Sequence, residues 1–213
     1  MIDTIYHGSQ NIITTPEFGK GKPYNDYGKG FYTTRNINLA GEWAVLHSNN
    51  DGYINEYSFD YSGLKLLKLD ALPLEKWVAV LMECRKGSYN DVVQERMNRF
   101  FKLFGIEITE YDVIEGWRAN DAFFSYVRDF LNLALSFEKL QEAMKLGDYG
   151  TQICLKSKKA FNNERLKFVR YHKASAVQYY TSAIVRDNDA RRAYRNLGEK
   201  SKGTLLFDMI GRD

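Results

Sequence analysis

The sequence predicts an α+β protein folded as a single domain over residues 1–213, and three observations carry that reading. Extended runs with alternating apolar residues lie toward both ends of the chain. Stripes at three- and four-residue steps fill the middle, and no repeat or low-complexity tract divides them. With 213 residues, 44% of them hydrophobic, the chain can bury one sizeable core and is short for two.

A strand over 3–7 opens the chain, and residues 8–30, with Pro16, Pro23 and five glycines, read as loop and turn. Asn36 and Asn38 are candidate N-caps for a helix carrying Ala40, Trp43, Ala44 and Leu46 as far as His47. Residues 53–60 alternate, with Tyr53, Tyr57 and Phe59 on one side, and 64–69 form a second extended run. The two are predicted to pair as a hairpin about Tyr61-Ser62-Gly63. Residues 74–86 and 92–104 place Trp77, Val80, Leu81 and Cys84, then Val93, Met97, Phe100, Phe101 and Phe104, at helical steps. They predict a helical insertion over about 71–105, parted by Gly87, Ser88 and Asn90, whose stripes are core.

Strand character returns at 110–117, and further helices are predicted at 122–135 and 137–146. Asn120 or Asp121 can cap the first of these through backbone N–H groups, or can serve a site. After the breaker 147–150, residues 151–156 alternate, with Gln152, Cys154 and Lys156 on a face predicted to look into a cleft. Residues 166–180 read as two more strand-like runs around Lys173-Ala174.

Net charge is +3, but residues 153–213 hold 14 basic against 6 acidic side chains, or +8. A basic third suits a phosphate-rich partner or is a solvated face. Arg191, Arg192 and Arg195, at helical spacing, are expected to face a macromolecular partner and not the cleft. Two cysteines, Cys84 and Cys154, make neither a metal spacing nor a disulfide framework, so a reduced cytoplasmic protein with no metal is expected. The apolar runs are too short to span a bilayer, and no membrane association is expected.

The stretch Gly28-Lys-Gly-Phe-Tyr-Thr-Thr34 joins two glycines to a run of strand formers. It is a place to hold a ligand or an ordinary hairpin turn. Upstream lies Tyr6-His7-Gly8-Ser9, and downstream Ala40-Gly41-Glu42-Trp43-Ala44. This spaced set resembles the ADP-ribosyltransferase superfamily, and within it small bacterial proteins of the DUF3990 type, over roughly residues 5–44.

That resemblance implies a split β-sheet core and an enzyme that moves ADP-ribose from NAD, its substrate, to a macromolecular acceptor, protein or nucleic acid. It also implies a bacterial toxin or defence effector of toxin–antitoxin type, with an antitoxin as a further partner. By the same analogy His7 hydrogen-bonds the adenosine ribose, and the Gly8 backbone holds the nicotinamide carboxamide beside Ser9. Gly28 and Gly30 let the loop close, Tyr32 stacks on nicotinamide, and Thr33 and Thr34 shape the floor. Most active relatives in the superfamily add a Glu on a later strand; here Gln152 stands in its place, with Gly150 two residues before, which does not support arginine modification. Gln152 completes the catalytic set with Tyr32 and His7; its replacement by Glu is expected to keep or raise NAD hydrolysis. The alternatives are an NAD-binding module of the same fold with little transferase activity and, more weakly, a 2′-phosphotransferase-like enzyme.

Overall fold

The computed structural model describes residues 1–46, 50–85, 89–119, 121–146 and 150–211, with the backbone alone at 121 and 122. His47 as a helix end, Gly87 and Ser88 as turn residues, Asn120 and the Asp121 side chain as caps, and 147–149 as a breaker lie outside the described residues.

Along the chain run β1 (Ile2–Ser9), β2 (Phe31–Thr33), α1 (Ile37–Val45), β3 (Gly52–Asp60) and β4 (Leu66–Lys68). Next come the helical insertion, α2 (Leu74–Cys84) and α3 (Asp91–Phe104), and then β5 (Val113–Trp117), α4 (Asp121–Leu131) and α5 (Phe137–Ala143). The chain closes with β6 (Thr151–Leu155), β7 (Leu166–Ala174), α6 (Ala176–Arg195) and α7 (Leu206–Ile210). The cap of α1 is Asn36, whose side chain accepts from the N–H groups of Asn38 and Leu39. Asn90 and Ser136 cap α3 and α5 in the same way.

The result is a mixed α+β fold with two sheets. One is antiparallel in the order β1-β3-β7; the other has the order β2-β6-β5-β4, antiparallel except for the parallel β4–β5 pair. The sheets meet where Tyr6 and Thr34 exchange backbone hydrogen bonds of 2.8 and 2.9 Å. Ile5, Tyr57, Phe59, Val113, Ile153 and Leu155 fill one core between them. The insertion helices and α4 cover the opposite face of the second sheet with Trp77, Phe100, Phe123 and Phe130 around Ile114 and Cys154.

Two sequence expectations are corrected here. The turn at 61–64 forms, with Leu64 N donating to Tyr61 O at 3.1 Å, but β3 and β4 do not pair as a hairpin. Leu66–Lys68 finds its partner in β5, across the helical insertion, and pairing of that kind leaves no trace in local alternation. The second strand-like run is also absent: β7 ends at Ala174 and α6 begins at Ala176. Its Tyr179 and Tyr180 pack with Ala40, Ala44 and Ile54 of α1 and β3, so tertiary contact overrides the strand propensity of that segment.

At Gly8 the helix α1 crosses β1 so closely that a Cβ would lie 1.8 Å from the Ala40 carbonyl oxygen and 2.7 Å from the Ala44 nitrogen. Both are backbone atoms and cannot swing away. Gly8→Ala is therefore expected to cost about 1–3 kcal/mol as α1 is pushed off the strand. A urea midpoint equal to that of the wild type would refute this packing role.

Candidate functional site

Residues of the 10–30 loop, of β2 and β6, of the turn after β5, and of α1 and α6 line one cavity of about 1130 Å³. His7, Gly8, Gly30, Tyr32 and Gln152 all reach it. Ser9, Gly28, Thr33 and Thr34 are not among its lining residues.

His7 sits on β1 where that strand meets β2. Its Nδ1 lies 2.7 Å from the Tyr32 carbonyl oxygen, and its ring rests 4.3 Å from that of Phe31. A carbonyl oxygen can only accept, so Nδ1 carries the proton and Nε2 of the neutral ring is left as an acceptor. Burial lowers the His7 pKa from 6.5 against the opposing pull of that carbonyl. The ring is thus neutral at physiological pH, and its contribution to stability, full above the ordinary imidazole value, is lost as pH falls through the lowered one.

Tyr32 is held by its hydroxyl, which donates to Gly28 O at 2.7 Å and accepts from Tyr27 N at 2.9 Å. Gly28 takes a φ of +71°, and this left-handed turn is its contribution; the Tyr32 hydroxyl spans it. One side of the Tyr32 ring is stacked on Tyr27 at 6.4 Å, and Tyr27 is in turn fixed by Trp77 and the Trp117 carbonyl. Gly30 has a packing duty, because a Cβ there would meet Cys154 Sγ at 2.3 Å. Thr33 and Thr34 are buried and donate to the Ile153 and Thr151 carbonyls at 3.1 and 2.9 Å. They tie β2 to β6 and shape no floor. Ser9 closes the turn out of β1, its hydroxyl bonded to the backbone of Asn11.

Gln152 is only 4% exposed. Its Nε2 donates to Asp26 Oδ2 at 2.6 Å and reaches the Trp117 carbonyl at 3.4 Å. The amide is thus oriented by Asp26 and the Trp117 carbonyl, both of which take its N–H groups. Asp26, 5% exposed, also accepts from Ala119 N at 2.8 Å and pairs through Oδ1 with Arg85 Nε at 2.9 Å. Burial raises the Asp26 pKa, opposed by Arg85, by Ala119 N–H, by Gln152 and by Arg118. The strand face of Gln152 differs from the sequence reading. Cys154 is fully buried among the helices and Lys156 donates to Tyr27 O, so of the three only Gln152 lines the cavity.

The α1–α6 side adds charge. Glu42, 4% exposed, pairs with Arg118 at 3.7 Å and with Arg186 of α6, while the Arg118 guanidinium lies 5.7 Å from the Trp43 ring. Arg191 lines the same cavity and pairs with Asp187 at 2.7 Å. This corrects the expectation that Arg191, Arg192 and Arg195 share a face away from the cleft: Arg192 is exposed and pairs with Asp189. Asp26, Arg85, Arg118 and Arg186 give no site signal in the sequence, because each sits in a turn, at a helix end or on a mixed-charge helix without a motif of its own.

Burial pushes the Cys154 thiol up to about 12 and Cys84 to about 11, so neither is a thiolate nucleophile at neutral pH. Among the described residues no cluster of three or more His, Cys, Asp or Glu side chains is placed to hold a metal ion, and no helix is long and apolar enough to cross a membrane.

Comparison with curated proteins and with solved structures finds no match. The profile of DUF3990, described as a protein of unknown function, matches residues 3–168, from β1 into β7, and leaves α6 and α7 beyond it. Since that match spans most of the chain and takes in His7, Tyr32, Asp26 and Gln152, the protein belongs to the DUF3990 family.

Proposed function

We propose that this protein is an NAD-dependent ADP-ribosyltransferase acting on a macromolecular target, as a bacterial toxin or defence effector of the cytoplasm. The observation that carries the reading is convergence: His7, Tyr32 and Gln152, far apart in the chain, line one cavity of about 1130 Å³. That is ample for a dinucleotide, given that clefts for bound small molecules run to about 300–1,000 Å³.

In the reaction the bond between the ribose and the nicotinamide nitrogen breaks with its electron pair going to nicotinamide, which leaves as a neutral ring. A nucleophilic atom of the acceptor bonds to the ribose carbon and loses a proton. The sugar passes through an oxocarbenium-like state, so the site must orient it and favour positive charge. His7 Nε2 offers an acceptor to a ribose hydroxyl, Tyr32 a ring edge and face, and Gln152 a carbonyl oxygen whose direction is set by Asp26 and Trp117. The Arg118 and Arg186 guanidiniums about Glu42 suit the two phosphates.

One observation favours the second reading, an NAD-binding module with little turnover: the Gln152 amide is neutral and almost wholly buried. Labelled NAD incubated with the protein and a cell lysate, then digested with protease or nuclease, separates the two. A transferase leaves label on macromolecule and a module leaves none. Titration calorimetry should show His7→Ala and Tyr32→Ala, both folded, binding NAD roughly three- to tenfold more weakly than wild type. Undiminished affinity in both places the dinucleotide elsewhere.

A further inference from the structure

The first sixty residues are acidic as a whole, with four basic against seven acidic side chains, yet three of the four cations sit on one loop. Lys20, Lys22 and Lys29 share it with Phe18 and Tyr24, which flank the first two lysines. The loop is folded back on the glycine turn: a Cβ on Gly21 would meet Gly30 O at 2.1 Å, so only glycine lets the two backbones lie together. That contact brings Lys20 and Lys22 to the mouth of the cavity, where both are lining residues, and Lys29 Nζ lies 4.0 Å from where a Cβ on Gly19 would stand. All three lysines are exposed.

The aromatic residues are exposed as well. Tyr24 is 59% and Phe18 47% accessible; Tyr24 lines the cavity, and Phe18 rests edge-on against Phe161 at 5.6 Å. Apolar burial does not explain Tyr24, and Phe18 keeps nearly half its surface open beside that contact. Glu17, which pairs with Lys20 at 3.4 Å between two largely exposed side chains, is a weak and screened counter-charge. The other acid of the loop, Asp26, is buried and committed to Arg85.

Cations tracking a backbone, interleaved with open aromatic faces, are what single-stranded nucleic acid requires: phosphates for the lysines and unstacked bases for the rings. An acidic protein would satisfy the lysines and leave the exposed rings without a role. A duplex keeps its bases stacked on each other, whereas an unpaired base at the rim can reach toward a ribose held in the cavity. We propose that the rim built by residues 18–29 binds single-stranded nucleic acid, and that this polymer is the acceptor of the transferred ADP-ribose. The second half rests on the transferase reading; the first does not.

Fluorescence anisotropy with labelled single-stranded DNA and RNA of mixed sequence, and with a duplex of the same length, tests the rim without NAD. The single strands should bind more tightly than the duplex, with affinity falling steeply as salt rises. A Lys20→Glu, Lys22→Glu, Lys29→Glu triple variant should lose about tenfold or more, and Tyr24→Ala about fivefold or more. Thermal melting of these surface variants checks that they remain folded. No binding at low salt, or equal binding by the variants, overturns the proposal. So does a triple variant that loses NAD affinity alone, since its lysines then hold the dinucleotide.

Labelled NAD with oligonucleotide and with lysate protein completes the test. Nuclease-sensitive label supports the acceptor assignment, and the DNA and RNA arms say which polymer it is. Label released only by protease overturns it. A wild type that binds the strand but neither binds nor consumes NAD brings down the transferase reading and the acceptor role together, and leaves the rim itself standing.

Discussion

Asp26→Ala should lower the unfolding free energy by about 3 kcal/mol, the low end of the cost of stripping one partner from a buried ion pair, because the Arg85 side chain keeps 22% exposure. The carboxylate closes three contacts at once. Arg85 Nε lies at the end of α2, Ala119 N follows β5, and Gln152 Nε2 belongs to β6. Without it the 10–30 loop keeps the Tyr27 contacts with Trp77 and the Trp117 carbonyl but loses its second tie to the helical insertion and the second sheet, and the Arg85 Nε faces a hole where the carboxylate stood. Asp26→Asn keeps the shape but offers one acceptor oxygen in place of two, and should cost less, about 1–3 kcal/mol. Urea unfolding of the three proteins checks the order. A wild-type midpoint for Asp26→Ala would show that the knot adds nothing to the fold.

The parts of this structure legible in the sequence are those written locally. Asn36 caps α1 as its position before the apolar stripe implies, and the steps of Trp77, Val80 and Leu81 place α2 with its buried side on the sheet. The alternation of 151–156 marks β6, and the motifs of β1 and β2 bring His7 and Tyr32 to one cavity. Partnership between distant segments is not written locally. Nothing in 66–68 names β5 as its neighbour, and nothing in the strand-like Tyr179-Tyr180 announces a helix packed on α1. Asp26 shows the same limit at the site: in the sequence it is a turn residue after Asn25, and only the fold sets it against Gln152. The second wall of the cavity comes from α6, beyond the residues that the family profile matches.

Gln152→Ala is expected to lower NAD turnover by about ten- to a thousandfold, the range for removing one orienting or charge-stabilising group from a site. The informative partner is Gln152→Glu, and here the structure changes the expectation drawn from the sequence. In the native protein the amide nitrogen is 2.6 Å from Asp26 Oδ2. A glutamate would set a second carboxylate against the first, and two such groups at that separation hold one proton between them, with one pKa strongly raised. A raised carboxylate pKa means that the folded state keeps the proton longer than the unfolded chain does. Stability is therefore full at lower pH and lost as pH rises through the raised value. Retained or increased hydrolysis is then confined to the acid side of that value, where the pair still carries a single negative charge. The double variant Asp26→Asn, Gln152→Glu restores one carboxylate and one amide in exchanged places. It should shed the alkaline loss of stability and recover turnover to within about tenfold of wild type. Unfolding and NAD hydrolysis across a pH series decide the matter. Wild-type turnover in Gln152→Ala removes Gln152 from the reacting site, and a Gln152→Glu protein with no alkaline weakening would mean that the two side chains do not share the contact on which the argument stands.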